Sequence, residues 1–546
     1  MNRRQLLAGG VAMTALAAAG VRAGETVGAP RVNQVGFVPD AHKVFAVAVP
    51  ETGPLPPFDM LADDGRVVFS GPLSRRFDLK ATTGEMAAAG DFSAVHKAGR
   101  YRIRVAGQVS HPFEIGGDVY RSLLRDAGRA FYLIRANAAI DDPATGIHVS
   151  AGHAQDSHIV VDGRERDLSG GWYNAGDFGK YTHMHAMSVS HMLRLYELRP
   201  QVAGLGLSLP APLYPGLPDL LQLARWGLEW LFKMQDADGG VLHKVDSQPI
   251  LAWGMWPADD PSPRKAMKAS AIDASVFTGV MGHASRVLKP LDPALAARCG
   301  AAAQRAWAWL EKHPDVNHTD AYYLDADMRQ EILWGQCEKA LMDGVANDNI
   351  VLPEIGAVPF NWPTPQVLGL MSLALNGHAQ AKAMIVDGAH AIGNHAAGDP
   401  YGYSAAAASY SWESNEIVFD AATVCLYADR LEPGQGFRDT AQGLLDYALG
   451  RNALDRSFVT GHGALPPLHP FHWIYNMSGI AVPGWAVGGA NGQAAGVDGL
   501  LLKVIQAGTP PAKCYVDGGR GEGSYASNEG ETSENAALVF VAGMLG

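Results

Sequence analysis

Two stretches of this chain set a carboxylate among glycines and aromatic rings. One is Gly170-Gly171-Trp172-Tyr173-Asn174-Ala175-Gly176-Asp177-Phe178-Gly179-Lys180-Tyr181, the other Tyr525-Ala526-Ser527-Asn528-Glu529. Glycine lets a backbone come close to a ligand, and Trp and Tyr offer flat faces on which sugar rings stack, so both stretches read as walls of a carbohydrate cleft. Hydrolysis of a glycosidic bond also needs two carboxyl groups. One protonates the leaving oxygen and the other activates water or attacks directly, their separation deciding the stereochemistry. Taken singly, either residue reads first as a helix-start carboxylate, which the helix dipole favours.

The elements that would hold these residues fall into two textures. From 31 to about 116 the pattern is that of short strands broken by turn residues, with Tyr101, Ile103 and Val105 alternating with arginines, which suggests a small β-sandwich. After Asp118 the period becomes helical: Leu220, Leu223, Ala224, Gly227, Leu228 and Leu231 share one helix face. Similar helices are expected over 271–287, 294–313, 331–342, 365–375, 418–431 and 437–450, with an almost wholly apolar one through 536–544. Successive helices of this number suit a closed ring of helical hairpins. Long Gly-, Pro-, His- and Trp-rich loops lie between them, notably over 239–263, 394–412 and 451–523, and such loops usually carry function.

Composition narrows the classes. The 546 residues are 47% hydrophobic and 18% charged, normal for a folded chain of at least two domains. A net charge of −12 without any Lys/Arg-rich run argues against a nucleic-acid partner. Arg3-Arg4, an apolar run over 6–20 and Val21-Arg22-Ala23 read as a signal peptide over 1–23 of twin-arginine type, the alternative being an ordinary secretion signal with two chance arginines. Its removal would leave a net charge of −15. A periplasmic or secreted location without a membrane anchor is expected. Cys299, Cys337, Cys425 and Cys514 form no C-x-x-C pair, so no zinc knuckle is supported.

In order along the chain, the motifs resemble those of glycoside hydrolase family 9, inverting cellulases and related enzymes, in the subgroup with an immunoglobulin-like domain before an (α/α)6 barrel. Arg31-Val32-Asn33-Gln34-Val35-Gly36-Phe37 is similar to the opening of the immunoglobulin-like module, and Asp118-Val119-Tyr120 to the start of the barrel. Residues 170–181 resemble GGWYDAGDYGKY. Tyr447-Ala448-Leu449-Gly450-Arg451-Asn452 with 457–461 resembles YxLGRNP…SYVTGFG, and Pro483-Gly484, Val487-Gly488-Gly489 and Asn491 resemble PGxLVGGPN. Asn528-Glu529 with Asn535-Ala536 matches NE…NA. The resemblance implies a mainly α protein, with a sandwich over 30–116 and an (α/α)6-barrel catalytic domain over 118–546.

It also implies roles. Asp177 would be the base that deprotonates water and Glu529 the general acid. Asn174 stands where the family usually has a second Asp; an amide can orient water but cannot take its proton, so restoring the acid by Asn174→Asp is expected to raise activity. In Leu468-His469-Pro470-Phe471-His472-Trp473, His469 and His472 keep two imidazoles of a His-Pro-His-His-Arg type segment that binds sugar hydroxyls, while Phe471 and Trp473 replace a His and the Arg. Trp473 would exchange a donor fork for a stacking face. Tyr525, Trp253, Trp256 and Arg264 are further candidates to line the cleft. Trp412 and Asn415 resemble a WGSN segment in which Glu413 replaces the glycine, and read first as structural. Glu531 departs from the small residue usual there, and with Glu522 and Glu534 it gathers carboxylates near Glu529. His153 and His158 lie where some relatives hold zinc with cysteines, absent here, so no metal site is expected; no cofactor is required, and a structural calcium stays open. The expected substrate is a β-1,4-linked glucan or its oligosaccharides, with an exo-acting β-glucosaminidase or a catalytically weakened carbohydrate-binding protein as alternatives.

Overall fold

The computed structural model describes residues 26–248, 254–319, 323–353, 360, 364–403, 410–493, 498–520 and 523–546. The signal-peptide reading over 1–23, Trp253 and Glu522 therefore lie outside the described residues.

The N-terminal sandwich packs two sheets. One runs β1 (Gly36–Phe37), β9 (Phe113–Ile115), β7 (Gly99–Val105), β3 (Phe58–Ala62), β4 (Val67–Gly71), with β8 (Gln108–Val109) on β7; the other is β2 (Val44–Val49), β6 (Met86–Asp91), β5 (Phe77–Asp78). All pairs are antiparallel except β1 with β9. Tyr101, Ile103 and Val105 point inward from β7, as period-2 alternation requires. Phe37, Phe45, Phe58, Phe92 and Phe113 form the aromatic centre, Phe37 meeting Phe92 edge-on at 5.3 Å.

The rest is the helical barrel. Its longer helices are α1 (Arg121–Leu133), α2 (Thr182–Leu198), α3 (Asp219–Met234), α4 (Ala271–Val287), α5 (Pro293–Leu310), α6 (Arg329–Met342), α7 (Gln366–Leu375), α8 (Ala379–Ala396), α9 (Ser414–Leu431), α10 (Phe437–Ala448) and α11 (Thr532–Leu545). Helices α2, α4, α7, α9 and α11 are buried along nearly their whole length and form the inner ring; α3, α5 and α10 bury one face and lie outside. A helix surrounded by other helices must be apolar all round, and α11, Thr-Ser-Glu-Asn-Ala-Ala-Leu-Val-Phe-Val-Ala-Gly-Met-Leu, is so beyond its first turn. It packs on both α2 and α9 and closes the ring. That closure brings the segment after α1 and the last loop of the chain together. All four cysteines are free and buried.

Candidate active site

Asp177 sits on a turn that the core fixes from below. The Asn174 N–H donates to the Gly179 carbonyl at 2.8 Å, and the Gly179 N–H to the Asp177 carboxylate at 3.0 Å. The turn runs into strand β10 (Lys180–Tyr181), which pairs with β11 (Lys244–Ser247), itself paired with β12 (Arg264–Ala266). Under it lies a buried ionic cluster: Asp156 meets Lys180 at 2.7 Å and Arg264 at 2.8 Å, and an Arg264 N–H reaches the Phe178 carbonyl at 2.9 Å. Burial alone would raise the Asp156 carboxyl, but Lys180 and then Arg264 hold it well below the usual range. Asp177 itself is half-buried and reachable.

Glu529 follows the short helix over Tyr525–Asn528, and its carbonyl accepts the Gly488 N–H at 2.6 Å. Its carboxylate accepts the Gly176 N–H at 2.8 Å, so the residue beside Asp177 holds Glu529 directly. A Cβ at Gly176 would lie 2.4 Å from the Phe471 ring and 2.7 Å from that carboxylate, so only glycine fits. Burial, then the negative charge of Asp177, pushes the Glu529 carboxyl well above its usual range, with the Gly176 N–H opposing and Glu531 adding to the rise. Glu529, with its raised carboxyl, and the half-buried Asp177 thus lie on either side of Gly176.

Asn174 is placed differently from the expectation that it orients water. Its carbonyl oxygen accepts the Thr532 hydroxyl, and its NH2 donates to the Tyr323 hydroxyl at 2.9 Å and the Glu531 carboxylate at 3.2 Å. Tyr323 donates to the same Glu531 oxygen at 2.8 Å. Both ends of the amide serve protein groups, and Asn174 is fully buried. Nor does Asp177 lack a carboxylate neighbour. Asp246 on β11, paired with Lys244 at 3.1 Å, is pushed up to about 6 by burial and then by the charge of Asp177. Sequence reasoning missed Asp246, whose four-residue strand leaves no periodicity to read, and Tyr323, which lies in a loop far from Asn174 in sequence.

The other expected cleft residues divide. Tyr525 is partly exposed and lies among rings, 5.5 Å from Trp412 and 5.6 Å from Phe471. Trp412 is 38% exposed. His469 is partly open beside Asp517, 3.5 Å away. His472 and Trp473, by contrast, are buried, correcting their reading as sugar contacts. His472 caps the helix over Trp473–Ser478 through its ring nitrogen, and burial pushes its imidazole down to about 3. Trp473 packs edge-on against Tyr173 at 5.4 Å, within 6.4 Å of the half-buried Trp256. Arg264 is likewise corrected: it supports the Asp177 turn and is buried away from the cleft. His153 is buried between the Tyr173 hydroxyl at 2.7 Å and Asp260 at 3.1 Å, whereas His158 lies outside on Glu165.

An N-terminal β-sandwich thus precedes a ring of helices in which the residue before Asp177 holds the Glu529 carboxylate. The family model for glycosyl hydrolase family 9 matches residues 120–542 and that for the cellulase N-terminal ig-like domain matches 26–110; the chain belongs to glycosyl hydrolase family 9. It is 30% identical to Endoglucanase C of Cellulomonas fimi over 94% of its length, and spans about half, 51%, of that relative. The crystal structure of a metagenome-derived family 9 endoglucanase superposes with a TM-score of 0.85 at 32% identity, covering 94% of this chain and 98% of that one. The structure of AaCel9A in complex with cellobiose-like isofagomine gives 0.83 at 28% identity, covering 94% and 99%.

Proposed function

We propose that this protein is an exported hydrolase of β-1,4-linked glucan or its oligosaccharides that works with inversion, Asp177 acting as base and Glu529 as acid. A water molecule attacks the anomeric carbon; Asp177 takes its proton as the glycosidic bond breaks, and Glu529 gives its proton to the leaving oxygen. The observation that carries this reading is the hydrogen bond from Gly176 N–H to the Glu529 carboxylate, which holds Glu529, its carboxyl raised by burial and by Asp177, against the residue that precedes the partly exposed Asp177. Trp412 and Tyr525 offer exposed rings for sugar stacking beside them. The endoglucanase relatives and the neighbour solved with a cellobiose-like ligand support a glucan substrate. The arginine-led apolar stretch at 1–23 supports export, and among the described residues no helix is long and apolar enough to cross a membrane. No metal or cofactor is assigned a role.

The test is hydrolysis of a cello-oligosaccharide and β-glucan panel by wild type, Asp177→Asn and Glu529→Gln. Turnover by wild type falling by about 10³-fold or more in each variant is expected, since residues that act as a unit each cost most of the rate. Turnover of none, or turnover indifferent to Glu529→Gln, contradicts the reading.

A further inference from the structure

The turn that carries Asp177 is tied to other groups through two backbone N–H donors. On the side of the last loop, Gly176 N–H holds the Glu529 carboxylate at 2.8 Å; on the side of the ribbon, Gly179 N–H holds Asp177 itself at 3.0 Å. The register that pairs Lys180 with Val245 and Tyr181 with Lys244 sets Asp246 across from Gly179. Residues two apart on a strand share a face, and Lys244 does meet Asp246, its Nζ lying 3.1 Å from one carboxylate oxygen. The other oxygen accepts the Ser247 N–H at 2.7 Å. Lys244 also lies over the Tyr181 ring, at 5.1 Å. Asp246 is 1% exposed, so it can act on a bound sugar only through its neighbours.

An acid with a purely structural task would be matched by the cations around it, and Asp246 is not. The charges that act on it are Asp177 from the turn, Lys244 from its own strand and Arg264 from β12, while Lys265, its register partner on β12, is exposed. Arg264 already serves Asp156 at 2.8 Å. Burial, and then the charge of Asp177, outweigh both cations and push Asp246 up to about 6. The coupling is mutual: an ionised Asp246 must strengthen the hold of Asp177 on a proton. Position 174 supplies no such charge, because its amide is neutral and both its ends are taken by Thr532, Tyr323 and Glu531.

We infer that Asp246 is a positioning residue for the base: held by Lys244 and Ser247 across from Gly179, it supplies beside Asp177 the second negative charge that Asn174 does not. The inference rests on the hydrolase reading and adds to it a group that tunes the base. Below about pH 6 Asp246 carries a proton, and Asp177 works without a second charge on the ribbon. As pH rises through that value Asp246 ionises, the proton affinity of Asp177 rises, and transfer of a proton from the attacking water to Asp177 gains driving force. Glu529 is raised by burial, Asp177 and Glu531, with no contribution from Asp246, so the basic side of the pH profile is independent of it.

The pH dependence of kcat/KM for cellotetraose tests this in wild type, Asp246→Asn and Asp246→Glu, each variant first checked for wild-type thermal unfolding. In wild type the rate constant should increase by about three-fold or more across pH 6. Asp246→Asn should remove that step while leaving KM within about two-fold and the basic limb in place, and Asp246→Glu should keep it. A variant profile of wild-type shape at a lower level overturns the inference, for that is what loss of mere support would give. A wild-type profile that is flat across pH 6 overturns it without any variant. Infrared spectra over the same pH range read the coupling without substrate: the carboxyl band lost in Asp246→Asn should titrate near pH 6 in wild type and at lower pH in Asp177→Asn. The same midpoint in both contradicts the pairing. Coupling in a protein that hydrolyses nothing would sink the hydrolase reading alone; hydrolysis that needs Glu529 but shows no step across pH 6 would sink the role of Asp246 alone.

Discussion

Position 174 shows how one atom changes a site. An amide there donates to both Tyr323 and Glu531. Asn174→Asp would replace a donor with a like charge, so in contrast to the expectation from sequence it should lower kcat/KM, by about ten-fold or more, equivalent to about 1.4 kcal/mol. Pairing it with Glu531→Ala should recover most of the loss; a double-mutant cycle with no coupling would show that the two side chains act independently. With Glu529 as the proposed acid, the rate on a neutral cello-oligosaccharide should fall as pH rises through its raised pKa. The charge of Glu531 adds to that rise. Glu531→Gln should therefore move the basic limb of the pH profile to lower pH, and a limb that stays put or moves up argues against Glu529 as the acid.

Among the elements, the three-strand ribbon β10-β11-β12 matters most to the site, and it was the least legible. Most of the longer helices were readable from their apolar residues, α4 spanning Ala271–Val287 as expected and α9 starting only four residues earlier than the pattern suggested, but α1, α2 and α8 were not read. The ribbon is set by pairing between segments some sixty residues apart, which no local pattern records. Beneath it lies the buried Asp156, Lys180 and Arg264 cluster. Arg264→Leu leaves Asp156 with one cation fewer and frees the Phe178 carbonyl, so denaturant unfolding should show a loss of about 3–5 kcal/mol. A loss under about 1 kcal/mol would mean that Lys180 alone neutralises the cluster.

On the scale of the whole molecule, the sandwich is keyed into the barrel. Asn33 donates to the Tyr120 hydroxyl at 3.1 Å and to Asp446 at 2.9 Å, while the Gln34 side-chain carbonyl accepts the N–H groups of Ala464 and Leu465, both at 2.9 Å. Gly450 is needed where the two meet, since a Cβ would come within 2.6 Å of the Val32 carbonyl. The opening motif around Asn33 was legible as a module start, but its work as a tie between domains was not, because Tyr120 is 87 and Asp446 413 residues away. Asn33→Ala should cost about 1–3 kcal/mol by leaving the buried Asp446 short of a donor, seen as a lowered melting temperature; an unchanged melt would show that Gln442 suffices. Ring closure by α11 matters more still, for it joins Asp177 to Glu529. If those two carboxyl groups work on opposite faces of the sugar, the first product has the anomeric configuration opposite to that of the β-linked substrate. Proton NMR of a cello-oligosaccharide digest, followed in the first minutes before mutarotation, reads this directly. A rise of the α-anomer signal that Glu529→Gln abolishes is the expected result, and an initial β-anomer would contradict the roles given to Asp177 and Glu529.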